Sequence, residues 1–175
     1  MLLAALGIGC STSIEVHTSH HPSADFSNRT SYAWLPRSPT GDPRLDDEAL
    51  DERVRTAVEA ELAAKGLTKT AESPQLLLAH QVVLRSETRV SRFDDPDSVW
   101  DKDYVPRIDP SSDEAEFERD YDVGILVLEF SNPETKVVLW RGSANTEADL
   151  RDPSRKRDRI VQEAVRAMLA GFPPR

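Results

Sequence analysis

The sequence predicts an α+β domain of two layers, a mostly antiparallel sheet with two amphipathic helices on one face. Two segments repeat apolar residues at helical spacing, and the others alternate or run apolar as strands do. The order is strand, strand, helix, strand, strand, strand, helix, which lets two helices cover one side of a sheet. At 175 residues with 38% hydrophobic content, the chain is long enough for one core.

Each element has its own signature. Residues 13–19 alternate, with Ile14 and Val16 opposed by Glu15 and His17. Residues 20–30 are polar and contain Pro22, a connection. Residues 31–35 form a short aromatic strand, and Pro36, Pro39, Gly41 and Pro43 mark the loop after it. Residues 45–65 are the first helix, with Leu50, Val54, Ala57, Val58 and Leu62 on one stripe. Asp46, Asp47 and Glu48 oppose the positive pole of its dipole. Gly66 suits a left-handed stop, with Leu67 closing over the last turn.

Residues 75–90 read as a long strand carrying Leu76, Leu78, His80, Val82 and Leu84 on one face. Residues 123–130 and 136–146 form a hairpin around Asn132-Pro133-Glu134-Thr135, with Pro133 presetting the turn. Gly124 and Gly142 are expected near opposing positions of it, where backbones approach closely. Trp140 is expected in the core. Residues 153–170 are the last helix, capped by Asp152, with Pro153 in its first position and Ile160, Val161, Ala164, Val165, Met168 and Leu169 on one stripe. In either hairpin register, Ile125, Val127, Val137 and Leu139 leave apolar side chains on both sheet faces, so these four are the expected partner face for an envelope protein or a lipid.

Charge is distributed unevenly. Residues 94–122 hold twelve acids and three bases, which accounts for the whole net charge of -9. Such a stretch repels itself, so it is expected to be a solvated acidic loop. It lacks the spacing of an EF-hand, although its carboxylates leave a divalent-cation module as an alternative. The acidic balance argues against nucleic acid as a partner. A basic cluster, Arg151, Arg155, Lys156, Arg157 and Arg159, opens the last helix, where it opposes the dipole; anionic lipid or the acidic loop are candidate targets.

Residues 1–9, MLLAALGIG, are apolar and end in front of the single cysteine, Cys10. This resembles the end of a bacterial lipoprotein signal peptide, although Gly7 stands where Leu is usual and no basic residue precedes the apolar run. The expected organisation is a cleaved leader at 1–9, a lipid-anchored tether and first strand at 10–22, and one domain over 13–175. Cys10 would then be acylated on its thiol and amine, and more than one chain makes a stable anchor. Ser11 fits delivery to the outer membrane, on its periplasmic side.

Catalytic equipment is sparse. His17, His20, His21 and Asp25 are suitable zinc ligands but lie on a short polar stretch that reads as solvated. A cysteine-based zinc site and an intrachain disulfide are excluded by the lone cysteine. His80 shares a face with four aliphatics and is expected to be a hydrogen-bonded core histidine; the alternative is an envelope hydrolase using His80 or a carboxylate as base. No nucleophile elbow, Walker loop, dinucleotide fingerprint or His-Glu-x-x-His is present. No cofactor, metal or enzymatic activity is expected.

Several pieces together resemble the bacterial lipoproteins grouped as domain of unknown function 4136. They are Asp25-Phe26-Ser27 ahead of Ser31-Tyr32-Ala33-Trp34-Leu35-Pro36, a helix closing on Lys65-Gly66-Leu67, Pro74 before an apolar strand, Tyr121-x-x-Gly124-x-Leu126, Trp140-Arg141-Gly142, and Phe172-Pro173-Pro174. The resemblance implies an α+β domain on a lipid tether at the cell envelope and implies no known reaction.

Overall fold

The computed structural model describes residues 14–92, 116–147 and 154–174. The chain is α+β, a six-stranded mixed sheet with two helices. Its elements are β1 (Glu15–His20), β2 (Ser31–Trp34), α1 (Glu48–Ala64), β3 (Thr68–Lys69), β4 (Leu76–Arg92), β5 (Glu116–Ser131), β6 (Val138–Glu147) and α2 (Ser154–Leu169). The strand order is β1-β6-β5-β4-β2-β3.

The pairs β1–β6, β6–β5 and β5–β4 are antiparallel. β2 lies parallel to both β3 and β4. The parallel part follows from α1, because a helix that crosses between two strands returns the chain in its starting direction. β3, only two residues long, carries no sequence pattern and was not expected. The expected acidic loop over 94–122 ends early, since β5 begins at Glu116 and pairs with β4 from Arg92 inward. Main-chain ladder bonds do not require apolar side chains, so composition alone misplaced the boundary. The stretch 93–115, the leader with Cys10, and the expected cap at Asp152 and Pro153 lie outside the described residues.

The helix α1 starts where Asp47 accepts a hydrogen bond from the Ala49 N–H at 3.0 Å. It stops as expected at Gly66, which has φ +83°. The Leu67 N–H bonds back to Leu62 O and the Gly66 N–H to Ala63 O, each at 3.0 Å, which satisfies carbonyls the helix would leave orphaned. The hairpin turn is held by Asn132, whose Oδ1 accepts from the Glu134 and Thr135 N–H groups at 2.8 and 3.1 Å.

Side chains of one parity in the sheet share a core with the helices. Leu76 and Leu78 of β4, Leu126, Leu128 and Phe130 of β5, and Trp140 and Ala144 of β6 pack with Val54, Val58 and Leu62 of α1 and Val165, Met168 and Leu169 of α2. The helices run in the same direction, because Arg53 pairs with Asp158 at one end and Arg166 with Glu61 at the other. Trp140 is buried as expected. Gly142 does not oppose Gly124: it pairs with Leu128, and Gly124 with Thr146. A register shift between Phe130 and Ser131 offsets the two strands near the turn.

Candidate functional site

Two places in the described residues gather polar groups against apolar surroundings. The first is His80, on β4 beneath α1. Its side chain is 5% exposed, and its Nε2 lies 3.1 Å from Asp51 Oδ1. The contact lacks hydrogen-bond alignment, which leaves that buried oxygen without a bonded partner. The other Asp51 oxygen accepts from Arg55 Nε at 2.8 Å. Arg55 sits over the Trp34 ring, 4.6 Å from its centroid, and Trp34 meets His80 edge-on at 5.5 Å. Trp34 Nε1 donates to Glu59 at 2.8 Å, and Lys69 Nζ approaches the same carboxylate oxygen at 2.7 Å.

Asp51, Arg55 and Glu59 recur every four residues, so one stripe of α1 supplies the charges, while β2, β3 and β4 supply Trp34, Lys69 and His80. Burial pushes His80 below its ordinary value; Asp51 opposes this, and Arg55 and Arg37 reinforce it. At Glu59 burial raises the carboxyl, but Lys69 and Trp34 outweigh it and hold the group lower. Burial also lifts the Tyr32 hydroxyl to about 12, with the Glu59 charge adding to it. The arrangement is a polar brace between helix and sheet edge, buried at His80 and open to solvent at Lys69.

A pH dependence follows. Unfolded His80 takes a proton near pH 6.5, whereas the folded form resists it to lower pH. The unfolded state therefore binds more protons, and stability falls as pH drops below about 6.5, by at most about 1.4 kcal/mol per pH unit from this group. Urea unfolding between pH 5.5 and 7.5 is expected to show this slope in the wild type and lose it in His80→Gln. Equal slopes in both would place the titration elsewhere.

The second place is a cavity of about 110 Å³ between the helices and the sheet. Apolar side chains line it, with Glu147 and Arg157 among the few charged groups. Arg157 belongs to the basic cluster noted in the sequence. Its neighbours Arg155, Lys156 and Arg159 are exposed, but its own Nε is buried without a hydrogen-bond partner. Sequence reading grouped it with the solvated bases; its spacing to Val161, Ala164 and Met168 was the signal that it faces the interior.

The expected partner-face residues do not stay together. Ile125 and Val127 share the sheet face turned away from the helix-packed core, where Val83, at 37% exposure, pairs with Ile125. Val137 lies beside the hairpin turn at 44% exposure. Leu139 is withdrawn from any such face: it is 7% exposed and belongs to the core. The strand offset near Phe130 is the reason, since alternation cannot be counted across it.

The histidines near the amino end do not form a centre. His17 is exposed beside Glu15, His21 Nδ1 lies 2.9 Å from the Ser23 hydroxyl, and Asp25 accepts from Ser27. Among the described residues, no three His, Cys, Asp or Glu side chains converge on one point. No described helix is long and apolar enough to cross a membrane.

The chain belongs to the family described as "Domain of unknown function (DUF4136)", whose profile matches residues 16–174. No curated protein matches it. Among solved structures it is similar to a PDZ domain protein from Parabacteroides distasonis, at 18% identity and TM-score 0.54. That match covers 94% of this chain, which spans 37% of the other protein's length. It is also similar to the PelC dodecamer protein from Paraburkholderia phytofirmans, at 9% identity and TM-score 0.50, over 93% of this chain and 100% of that one. At these identities the likeness is one of fold alone.

Proposed function

We propose that this chain is a non-catalytic structural module of the bacterial envelope, tethered to the outer membrane through an acylated Cys10 and docking a second copy of itself through the sheet. The observation that carries the docking half is the apolar stripe Val83, Ile125 and Val127, on the face turned away from the helix-packed core. Charges on that face are matched within it: Arg85 pairs with Glu87 at 2.6 Å, and Arg141 with Glu129. A locally neutral face does not repel its own copy. A protein of similar fold is titled a dodecamer, and self-assembly is carried over to this chain as part of the proposal. The His80 side chain, the candidate base of the sequence reading, is 5% exposed, and this burial supports a role without chemistry. The tether rests on the Leu-Gly-Ile-Gly run ahead of Cys10.

Light scattering of the full chain in mild detergent tests the docking. The wild type is expected to run as an oligomer, and Val83→Asp with Val127→Asp is expected to weaken association at least tenfold with an unchanged circular dichroism spectrum. A monomeric wild type at high micromolar concentration sinks the self-docking reading. Mass spectrometry of protein from membranes tests the tether, where an unmodified Cys10 thiol would remove it.

A further inference from the structure

We infer that β1 is a docking edge for the β1 strand of a second copy, the two strands pairing antiparallel about Thr18. Among the described residues β1 pairs with β6 alone and ends the sheet. An antiparallel strand turns the main-chain groups of alternate residues to opposite sides. The His21 N–H bonds to Leu139 O at 2.9 Å, so the odd-numbered residues face β6. Val16, Thr18 and His20 therefore point their N–H and C=O groups outward, with no strand to receive them among the described residues. Natural edges are guarded by Lys, Pro or a bulge. Between Glu15 and His20 there is none of these, and the register to β6 runs without a shift. Every side chain there is exposed except Val16, which is half-buried.

The edge is complementary to itself. A twofold axis normal to the sheet keeps the helices of both copies on one side and sets residues of equal parity opposite each other. Centred on Thr18, the pairing sets Val16 against His20 of the second copy and Thr18 against its own counterpart. Every outward group of the strand is then engaged, in about six main-chain bonds. The odd-numbered residues form the closer, non-bonded pairs. At each end Glu15 of one copy meets His21 of the other, a carboxylate against an imidazole that donates to it, and His17 meets Ser19. Centring on His17 instead would set that histidine against its own counterpart and leave Glu15 opposite Ser19. Pro22, whose nitrogen has no hydrogen to offer, closes the free edge just past the strand. This contact uses main-chain groups at the end of the sheet and does not rest on the apolar stripe of Val83, Ile125 and Val127.

Oxidative cross-linking of the full chain, in a Cys10→Ser background, tests the edge. His17→Cys and Ser19→Cys chains are prepared separately and oxidised alone and mixed. The mixture is expected to form a disulfide-linked dimer at least tenfold faster than either chain alone, because positions 17 and 19 of different copies face each other. Thr18→Pro removes an outward donor and none that faces β6, so adding it to both chains is expected to abolish the cross-link with an unchanged circular dichroism spectrum. Glu15→Lys is expected to slow the cross-link about tenfold, and His21→Glu in the same chains to restore it, which keeps the test decisive should Thr18→Pro not fold. A mixture that reacts no faster than the single chains overturns the proposal. So does a cross-link that persists in folded Thr18→Pro chains. It is equally overturned if the Thr18 and His20 amides resist hydrogen exchange in the dilute monomer, which would show that the chain itself covers the edge. Light scattering of the Val83→Asp, Val127→Asp chain reads the face and the disulfide reads the edge, so the two contacts fail separately.

Discussion

Replacing Trp140 by Ala is expected to cost about 3–5 kcal/mol of unfolding free energy, read by urea titration with circular dichroism. The ring is 2% exposed and lies across its own strand neighbour, Gly142. A Cβ on Gly142 would collide with the indole, with two ring carbons at 3.1 Å and a third closer still. Gly142→Ala is therefore expected to cost about 1–3 kcal/mol in the wild type, because a packed ring has no room to move. In a Trp140→Ala background the same change is expected to be nearly neutral, since the obstructing atoms are gone. A Gly142→Ala penalty of equal size in both backgrounds would show that backbone conformation, not the ring, demands the glycine.

Phe172→Ala is expected to be of similar severity, about 3–5 kcal/mol, although the residue lies beyond the end of α2. Its ring stacks on Phe130 at 4.4 Å with planes 10° apart, and meets Trp140 at 5.2 Å and Phe26 at 5.3 Å edge-on. One side chain thus fastens the carboxyl end to β5, β6 and the segment between β1 and β2. Because Trp140 and Phe172 touch, the double variant is expected to lose less than the two single losses combined. Additivity, or a Phe172→Ala loss below about 1 kcal/mol, would mean that this end is not clasped in solution.

The sequence disclosed most of what depends on local periodicity. Both helices, the stop at Gly66, the long apolar strand and the hairpin turn were legible because each is written in contiguous residues. Pairings between distant segments were not. Nothing in Thr68 or Lys69 announces a strand; β3 exists because Tyr32 offers it a ladder. The pairing of the outer half of β4, up to Arg92, with the start of β5 at Glu116 was hidden by charge, since acids were read as solvation while main-chain bonding extended both strands. Leu139 was misread because the register shift at Phe130 is invisible to a count of alternation.

The candidate sites divide the same way. His80 was legible as a core histidine from its strand parity, but its companions Asp51 and Arg55 come from another element and could not be paired with it by spacing. Arg157 was visible only as one base among several. Its meaning depends on which side of α2 faces inward, and that is fixed by the partner helix.

The edge strand β1 has consequences for how the chain matures. Among the described residues it bonds to β6 alone, with Val16 opposite Ala144, so this early strand must wait until the distant β6 has been synthesised before it finds its neighbour. Closing so large a loop is entropically slow, and pairings this remote delay folding. During that wait the newborn strand keeps its ladder groups unpaired and open to chaperones.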